Sequence, residues 1–171
     1  MKVLVVVDMQ NDFVSGSLAS SEAKLIVDNV VNKIKNFDGK VLYTKDTHGD
    51  DYLETMEGKK LPVKHCIKDT WGWEIIDEIK PLIEGGVIEK PTFGSEKLIE
   101  ELKKIENIES VEIVGLCTDI CVISNALLIK ASFPEVKIVV DASCCAGVSV
   151  ESHTNALNAM KVCHIDIINE A

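Results

Sequence analysis

The chain has 171 residues, of which 46% are hydrophobic and 27% charged, a composition typical of a globular protein. This length suits one domain and is short for two, so we expect a single domain over residues 1–171. A net charge of −10 without a basic stripe argues against binding to nucleic acid. All 18 basic residues are lysine, so the chain lacks the bidentate guanidinium that usually clamps carboxylates and phosphates. This favours a neutral or weakly charged small-molecule substrate, although a lysine could still hold an anion.

The six cysteines and the start of the chain indicate a cytoplasmic location. The sequence begins directly with a predicted strand, and no apolar run approaches the roughly 20 residues of a membrane helix. Without an export signal, the cysteines are expected to be free thiols in a reducing compartment. We expect no membrane partner.

Short runs rich in valine and isoleucine predict six buried strands, at residues 2–7, 40–45, 86–88, 111–116, 136–140 and 164–168. Helices are predicted between most of them, at residues 22–35 after an N-cap at Ser21, from residues 94–95 onward, at 120–131, and at 150–162 after Ser149. This alternation predicts a three-layer αβα fold with a mostly parallel six-stranded sheet, similar to a Rossmann fold.

Residues 46–85 interrupt the alternation with a long connection, in which we expect one short helix near residues 73–80. A connection of this length in a small domain is usually functional. Binding sites in parallel sheets lie beyond the carboxyl ends of the strands. The residues that directly follow each strand are therefore the candidates for chemistry.

The second predicted strand is followed by Asp46-Thr47-His48, and His65 lies further along the long connection. Residues two apart in an extended chain point to the same side. Two histidines and one carboxylate suit a catalytic divalent metal such as zinc or iron. Glu57 could join or brace this set. The alternative is a solvated turn with unrelated histidines.

Three other strand ends carry Asp8, Lys90 and Cys121. Cys121 falls in the first turn of the predicted helix 120–131, where the helix dipole favours a thiolate, and Asp119 is placed to cap that helix. Taken singly, these three residues could be a turn-capping acid, a surface lysine and a structural cysteine. Together they suggest a carboxylate that takes a thiol proton and an ammonium that stabilises both anions.

These residues, in this order, resemble the isochorismatase-like cysteine hydrolases and, within them, the nicotinamidases. The resemblance covers essentially the whole chain, and the motif that ends at Cys121 is its most specific part. The matching segments are residues 5–13 (VVVDMQNDF), 46–48 (DTH), Pro62 with 65–66 (HC), Lys90 with 93–95 (FGS), and 115–122 (GLCTDICV).

The resemblance implies a general base at Asp8, its partner at Lys90 and a nucleophile at Cys121. It implies a divalent metal, zinc or alternatively iron or manganese, held by Asp46, His48 and His65. It also implies a cis peptide between Leu116 and Cys117 that turns backbone N–H groups of residues 117 and 121 towards an oxyanion. Amide hydrolysis, a role in NAD salvage and a homo-oligomer are further expectations.

The chain departs from the nicotinamidase pattern in one respect. Relatives usually carry an aromatic residue shortly before the second metal histidine, where residues 61–64 here read LPVK. Phe13 remains a candidate platform for the substrate ring, and Trp71 or Trp73 could supply another. The alternatives are a metal-free relative that acts on another carbamoyl compound, an isochorismatase-type vinyl-ether hydrolase, and a non-catalytic flavodoxin-like module. Cys121 argues against the vinyl-ether hydrolase, and the lack of phosphate-cradling glycines argues against the binding module.

Overall fold

Six parallel strands form one sheet in the computed structural model, which describes residues 1–170. They are β1 (Lys2–Val7), β2 (Lys40–Asp46), β3 (Val87–Lys90), β4 (Ser110–Leu116), β5 (Lys137–Ala146) and β6 (Asp166–Ile168). Their order is β3-β2-β1-β4-β5-β6, and every pairing is parallel. The predicted α/β fold and its six strands are confirmed, but the expected burial of the last strand is wrong, since β6 lies at the edge of the sheet and is mostly exposed. The order reverses between β1 and β4, which is where parallel sheets form their binding crevices.

Within residues 1–170, seven α-helices accompany the strands: α1 (Asn11–Val14), α2 (Ser21–Leu25), α3 (Val27–Asn36), α4 (Met56–Lys60), α5 (Glu96–Lys103), α6 (Ile123–Ser132) and α7 (Val150–Val162). The predicted helix 22–35 is present as two helices, and its N-cap is Ser20 rather than Ser21 because the Ser20 side chain accepts the Ala23 N–H. The cap at Ser149 is confirmed by a capping box with Ser152. No helix within residues 1–170 combines the length and the apolar character needed to cross a bilayer.

The predicted helix at residues 73–80 is wrong. The chain there forms two short 3₁₀ turns, Trp71–Trp73 and Lys80–Leu82, with an irregular segment between them. The backbone N–H of Asn11 donates to the Glu74 carbonyl, and the backbone N–H of Ile76 donates to the Met9 carbonyl. Bonds to Met9 and Asn11 hold Glu74 and Ile76 in an irregular conformation, so the bonds within the segment form only a turn, from the N–H groups of Ile79 and Lys80 to the Ile76 carbonyl.

The core lies on both faces of the sheet, so alternate residues of each central strand face different helices. Val3, Val5 and Val7 pack under α5, α6 and α7, whereas Leu4 and Val6 pack under α1, α2 and α3. All five are essentially without solvent exposure. Burial on both faces explains why β1 is a continuous apolar run, and it leaves the strand ends as the place where polar groups can gather.

Gly115 sits on β4 directly beside β1 with φ +116°, a conformation that side chains rarely adopt. A Cβ atom there would lie 2.1 Å from the carbonyl oxygen of Val7, so only glycine lets the two strands approach. Asp8, which follows Val7, also has a positive φ of 48°. The backbone is therefore specialised where β1 and β4 end side by side.

A partly buried ion cluster joins α3 to β4 and β5. Lys33 Nζ lies 2.7 Å from Asp141 Oδ2 and 2.6 Å from Glu112 Oε1. The side chain of Asp141 is 1% exposed. Burial raises the pKa of Asp141, but the hydrogen bond from Lys33 and those from Ser143 and Asn169 outweigh it, and the net shift is downward.

Replacing Lys33 by methionine should lower the free energy of unfolding by about 1–3 kcal/mol near pH 7, because Asp141 loses its charged partner. A carboxylate whose folded pKa is depressed stabilises the fold above its unfolded pKa, and this contribution is lost as the pH falls through the folded pKa. The difference between the two proteins should therefore be steady from about pH 6 to 9 and shrink below about pH 4. Urea unfolding of both proteins between about pH 2 and 9 measures this difference in the free energy of unfolding.

Lys137→Met is the matched control, since its pair with Asp166 at 3.4 Å is largely exposed. This variant should unfold like the parent protein at every pH. A Lys33→Met deficit that stays constant down to pH 2 would contradict the assignment of the pair.

Candidate active site

Asp8, Lys90 and Cys121 meet in one buried cluster at the carboxyl end of the sheet. Lys90 Nζ lies 2.7 Å from Asp8 Oδ2 and 3.4 Å from Cys121 Sγ. The side chains of Asp8 and Lys90 have no solvent exposure, and Cys121 is 4% exposed. The structure thus brings together the three residues that the sequence places at separate strand ends. An ammonium in this position is the shared partner of a carboxylate and a thiol.

Neighbouring groups hold this cluster in place. The Thr44 hydroxyl on β2 donates to Asp8 Oδ1 at 2.7 Å, which leaves Oδ2 for Lys90. Lys90 also donates to the Thr92 carbonyl at 3.0 Å, and its Nζ lies 3.5 Å from Asp46 Oδ1. Lys90 therefore links the catalytic candidates to the proposed metal ligands. The sequence did not identify Thr44, because a threonine inside a strand gives no signal.

The charges in this cluster follow from burial and from the ion pair. Burial raises the pKa of the Cys121 thiol well above its ordinary value, and the charge of Asp8 adds to that shift while Lys90 opposes it. Burial also raises the pKa of Asp8, against the charge of Lys90. The pKa of Lys90 is raised because Asp8, Cys121 and Asp46 outweigh the effect of its burial. This net upward shift opposes the effect expected from the helix dipole, and it is consistent with a thiol whose proton Asp8 would take.

The turn that carries Cys121 differs from the predicted helix start. Thr118–Val122 is a π-helical turn, and α6 begins only after it. The peptide between Leu116 and Cys117 is cis, as the resemblance implied. Asp119 does not cap the helix, which has no side-chain cap. Its carboxylate accepts the Val148 N–H instead, at 3.2 and 3.3 Å.

Asn125 ties this turn to the loop after β3. Its Nδ2 donates to the carbonyls of Cys121 at 2.8 Å and Phe93 at 3.0 Å, and its Oδ1 accepts the Ser95 N–H at 2.9 Å. The residue is fully buried. The sequence analysis missed it, although a lone amide in the apolar helix α6 is the signal that could have identified it.

The predicted metal ligands also converge, with Glu57 as a fourth member. One ligand atom from each of Asp46, His48, Glu57 and His65 lies within 4.8 Å of all the others. Asp46 Oδ2 is 2.9 Å from His48 Nε2 and 3.4 Å from His65 Nε2, and Glu57 Oε1 is 3.6 Å from both rings. The solvated-turn alternative is therefore wrong, since Asp46, His48 and His65 are all buried.

The chemistry of this donor set fits a divalent cation. His65 Nδ1 donates to the Val63 carbonyl at 2.8 Å, so in the neutral ring the lone pair is on Nε2, which faces Asp46 and Glu57. Acceptor atoms facing one another repel unless a cation lies between them. Two imidazoles with carboxylate oxygens are ligands that zinc binds well, and iron and manganese bind similar sets.

Gln10, in the loop after β1, and Asp12, in α1, bind the backbone at or beside the predicted metal ligands. Gln10 Oε1 accepts the Asp46 N–H at 2.7 Å, and its Nε2 donates to the Asp46 carbonyl at 2.8 Å. Asp12 Oδ2 accepts the backbone N–H of Cys66 at 2.8 Å, next to His65. Both residues belong to the VVVDMQNDF motif, but nothing in the sequence indicates what their side chains bind. Their contacts are to the backbone of distant segments, which leaves no local pattern.

A small apolar pocket opens beside Cys121. Its lining includes the predicted substrate contacts Phe13 and Cys117, together with Asp46, Glu57 and His65, and the apolar side chains Leu18, Leu61, Phe93 and Ile120. The Phe13 and His65 rings are 5.8 Å apart. Phe93, 40% exposed, is a second aromatic residue here that the sequence analysis did not select.

The tryptophans proposed as platforms are not part of this lining. The Trp73 indole N–H donates to Thr47 Oγ1 at 2.8 Å, and the Lys45 ammonium lies 2.9 Å from the centre of its ring. Trp71 is 62% exposed at the surface. The long connection thus uses Trp73 to support β2, and the aromatic faces of the pocket come from phenylalanines.

Comparison with known proteins agrees with this geometry. Residues 2–170 match the family model described as Isochorismatase domain. The nicotinamidase of Schizosaccharomyces pombe is 29% identical over 98% of this chain and 92% of its own. The crystal structure of nicotinamidase/pyrazinamidase PncA from Bacillus subtilis superposes with a TM-score of 0.84 at 27% identity, covering 97% of this chain and 98% of that one. The pyrazinamidase of Pyrococcus horikoshii, solved in complex with zinc, has the same fold with a TM-score of 0.82 at 23% identity, covering 99% of each chain.

Proposed function

The chain belongs to the isochorismatase domain family, within which it is a hydrolase of amide C–N bonds, and we propose that it converts nicotinamide or a similar small carboxamide to the acid and ammonia. The observation that carries the proposal is the position of Lys90 Nζ, 2.7 Å from Asp8 and 3.4 Å from Cys121, beside a pocket with apolar and aromatic walls. Cys121 is the proposed nucleophile, Asp8 the general base and Lys90 the residue that stabilises both anions.

In the proposed acylation step, Asp8 takes the proton of Cys121 while the sulfur attacks the carboxamide carbon. Because the pKa of the thiol is raised, this proton must leave as the S–C bond forms, and Lys90 stabilises the charge that develops on sulfur. Backbone N–H groups of residues 117 and 121 receive the oxyanion. The protonated Asp8 then gives its proton to the departing nitrogen, the C–N bond breaks, and ammonia leaves a thioester on Cys121.

In the proposed second step, water attacks the thioester. Asp8 takes a proton from the water as its oxygen bonds to the carbonyl carbon. The S–C bond then breaks, the proton returns to sulfur, and the acid is released. Water and amide have become acid and ammonia, and all three residues are back in their starting states.

Asp46, His48, His65 and Glu57 are the residues that would hold the metal in this proposal, with zinc as the first choice and iron or manganese as alternatives. A divalent cation bound there supplies a Lewis acid beside the pocket. Without a cation, the buried carboxylate of Asp46 and the half-buried carboxylate of Glu57 would face each other, which weighs against the metal-free alternative.

The pocket favours a neutral, flat substrate. Phe13 and Phe93 offer aromatic faces, whereas Asp46 and Glu57 repel anions. The ammonium of Lys90 is already shared by two carboxylates and a thiol, so it is not free to bind a substrate carboxylate. Nicotinamide and pyrazinamide meet these requirements better than a carbamoyl compound that carries a carboxylate.

With nicotinamide as substrate, the role of the protein would lie in NAD salvage. The cytoplasmic location and the homo-oligomer remain predictions.

Ammonia release by the purified protein tests the proposal. We expect turnover of nicotinamide and pyrazinamide, and rates at least ten times lower for carbamoyl compounds that carry a carboxylate. Trapping of a labelled acyl group on Cys121, located by peptide mass analysis after acid quench, tests the thioester separately. Preferred turnover of an anionic carbamoyl compound, with nicotinamide inert, would reject the substrate assignment.

Removing the metal should abolish turnover. Protein purified with added zinc should contain about one ion per chain by elemental analysis, and dialysis against a chelator should remove both the ion and the activity. His48→Ala should lose the bound ion without treatment, whereas His164→Ala, which alters an exposed histidine, should keep it. Full activity in protein shown to be free of metal would contradict the prediction.

A further inference from the structure

The turn that carries Cys121 is fastened to the start of α7 by two side-chain contacts. Thr118 Oγ1 and His153 Nδ1 are hydrogen-bonded at 2.7 Å. Asp119 accepts the Val148 N–H just before α7. Thr118 has no solvent exposure, and its hydroxyl makes no other hydrogen bond within residues 1–170. A buried hydroxyl is destabilising without a partner, so the imidazole fixes the position of Thr118.

Thr118 lies in the part of the turn that sets the reacting groups. It follows Cys117, whose carbonyl accepts the N–H groups of Ile120 and Val122 at 3.1 and 3.0 Å. A shift of Thr118 therefore moves both the backbone of the proposed oxyanion site and the sulfur of Cys121. The 3.4 Å contact between that sulfur and Lys90 leaves little tolerance, since a misplacement of about 1 Å can cost a factor of 10² in rate.

We propose that His153 is a positioning residue for the amide hydrolysis, which it serves by holding Thr118 and with it the nucleophile turn. The inference rests on the proposed role of Cys121. The sequence gives no reason to select His153, because Thr118 lies too far away in the chain for any local pattern to link them. Burial lowers the pKa of His153, so the ring is neutral at pH 7.5 and contributes a hydrogen bond rather than a charge.

Two pairs of variants distinguish an effect of His153 on the position of the nucleophile turn from an effect on the stability of the protein. Thr118→Val keeps the shape but removes the hydroxyl, whereas Thr118→Ser keeps the hydroxyl. His153→Leu removes the ring nitrogen, whereas His153→Asn places a polar atom near the position of Nδ1. We expect Thr118→Val and His153→Leu to lower kcat for nicotinamide by about 10- to 100-fold with KM changed less than about threefold. Both conservative variants should retain kcat within about threefold.

The double variant Thr118→Val/His153→Leu should be no slower than the worse single variant, because both changes remove the same contact. Equal losses in the conservative and disruptive variants, or fully multiplicative losses in the double variant, would overturn the proposal. So would a kcat within twofold of the parent in His153→Leu, which alters a half-buried residue and is the variant to rely on if Thr118→Val fails to fold.

Alkylation of Cys121 by iodoacetamide, located by peptide mass analysis, gives a readout that does not need turnover. The parent protein and the conservative variants should label Cys121 at one common rate, and the disruptive variants at a clearly different rate. Equal rates in all five proteins would reject the role of His153 even if nicotinamide is hydrolysed. Different rates in a protein that does not hydrolyse nicotinamide would support that role and reject only the proposed substrate.

Discussion

Cys121→Ala should lose at least about 10⁴-fold in kcat for nicotinamide, because Cys121 is the only thiol within residues 1–170 that the Lys90 ammonium contacts. This loss corresponds to about 5.5 kcal/mol of transition-state stabilisation. The fold should survive, since alanine fills most of the space and the contacts of Lys90 with Asp8 and Thr92 remain. Ammonia release and thermal unfolding of the same preparation give the two measurements.

Cys144→Ala is the matched control for this variant. Cys144 is also buried, at 2% exposure, but it lies on β5 and outside the pocket lining. It should lose a little stability and keep its turnover. Continued ammonia release by Cys121→Ala at more than about one hundredth of the parent rate would end the proposal of a cysteine nucleophile.

Lys90→Met should both inactivate and destabilise the protein. The substitution leaves Asp8 and Asp46 as buried carboxylates without their shared cation, and breaking a fully buried ion pair in this way costs about 3–5 kcal/mol. Turnover should fall by at least about 10³-fold, because the developing thiolate also loses its partner. Urea unfolding and ammonia release measure the two effects.

The double variant Asp8→Asn/Lys90→Met distinguishes the cost of an unpaired charge from the loss of packing. Removing both charges should restore much of the stability that Lys90→Met loses, while activity stays absent because the base is also gone. If the double variant is less stable than Lys90→Met by the full cost of Asp8→Asn alone, the two residues do not interact and the ion pair is not what stabilises the site.

The fold was largely predictable because burial on both sides leaves a simple pattern. The strands of a parallel sheet between two helical layers are continuous apolar runs, and all six were found from such runs. The incorrect helix predictions concern segments in which contacts with distant residues outweigh the local preference for a helix. Residues 73–80 bond to the loop after β1, and α6 starts late because the turn before it is π-helical.

The candidate site was predictable to the extent that its residues follow strands. Asp8, Asp46, Lys90 and Cys121 were selected on that ground, and the structure places them in contact or within one shared cluster. Thr44, Asn125 and His153 were not selected, because their partners lie in segments far along the chain. The helix dipole that favours a thiolate at Cys121 can be inferred from the sequence, whereas the burial that raises the pKa of its thiol cannot.

The sequence by itself determined which chemical groups stand at the carboxyl edge of the sheet, because strand periodicity and the parallel direction of the strands fix that edge. Only the tertiary structure decided that one ammonium contacts both Asp8 and Cys121, that Glu57 joins the histidines, and that an imidazole of α7 is hydrogen-bonded to the turn that carries Cys121. Each of these depends on distances of a few ångströms between segments brought together by packing. Local sequence preferences carry no information about such distances, and the charge state of a buried group follows from them.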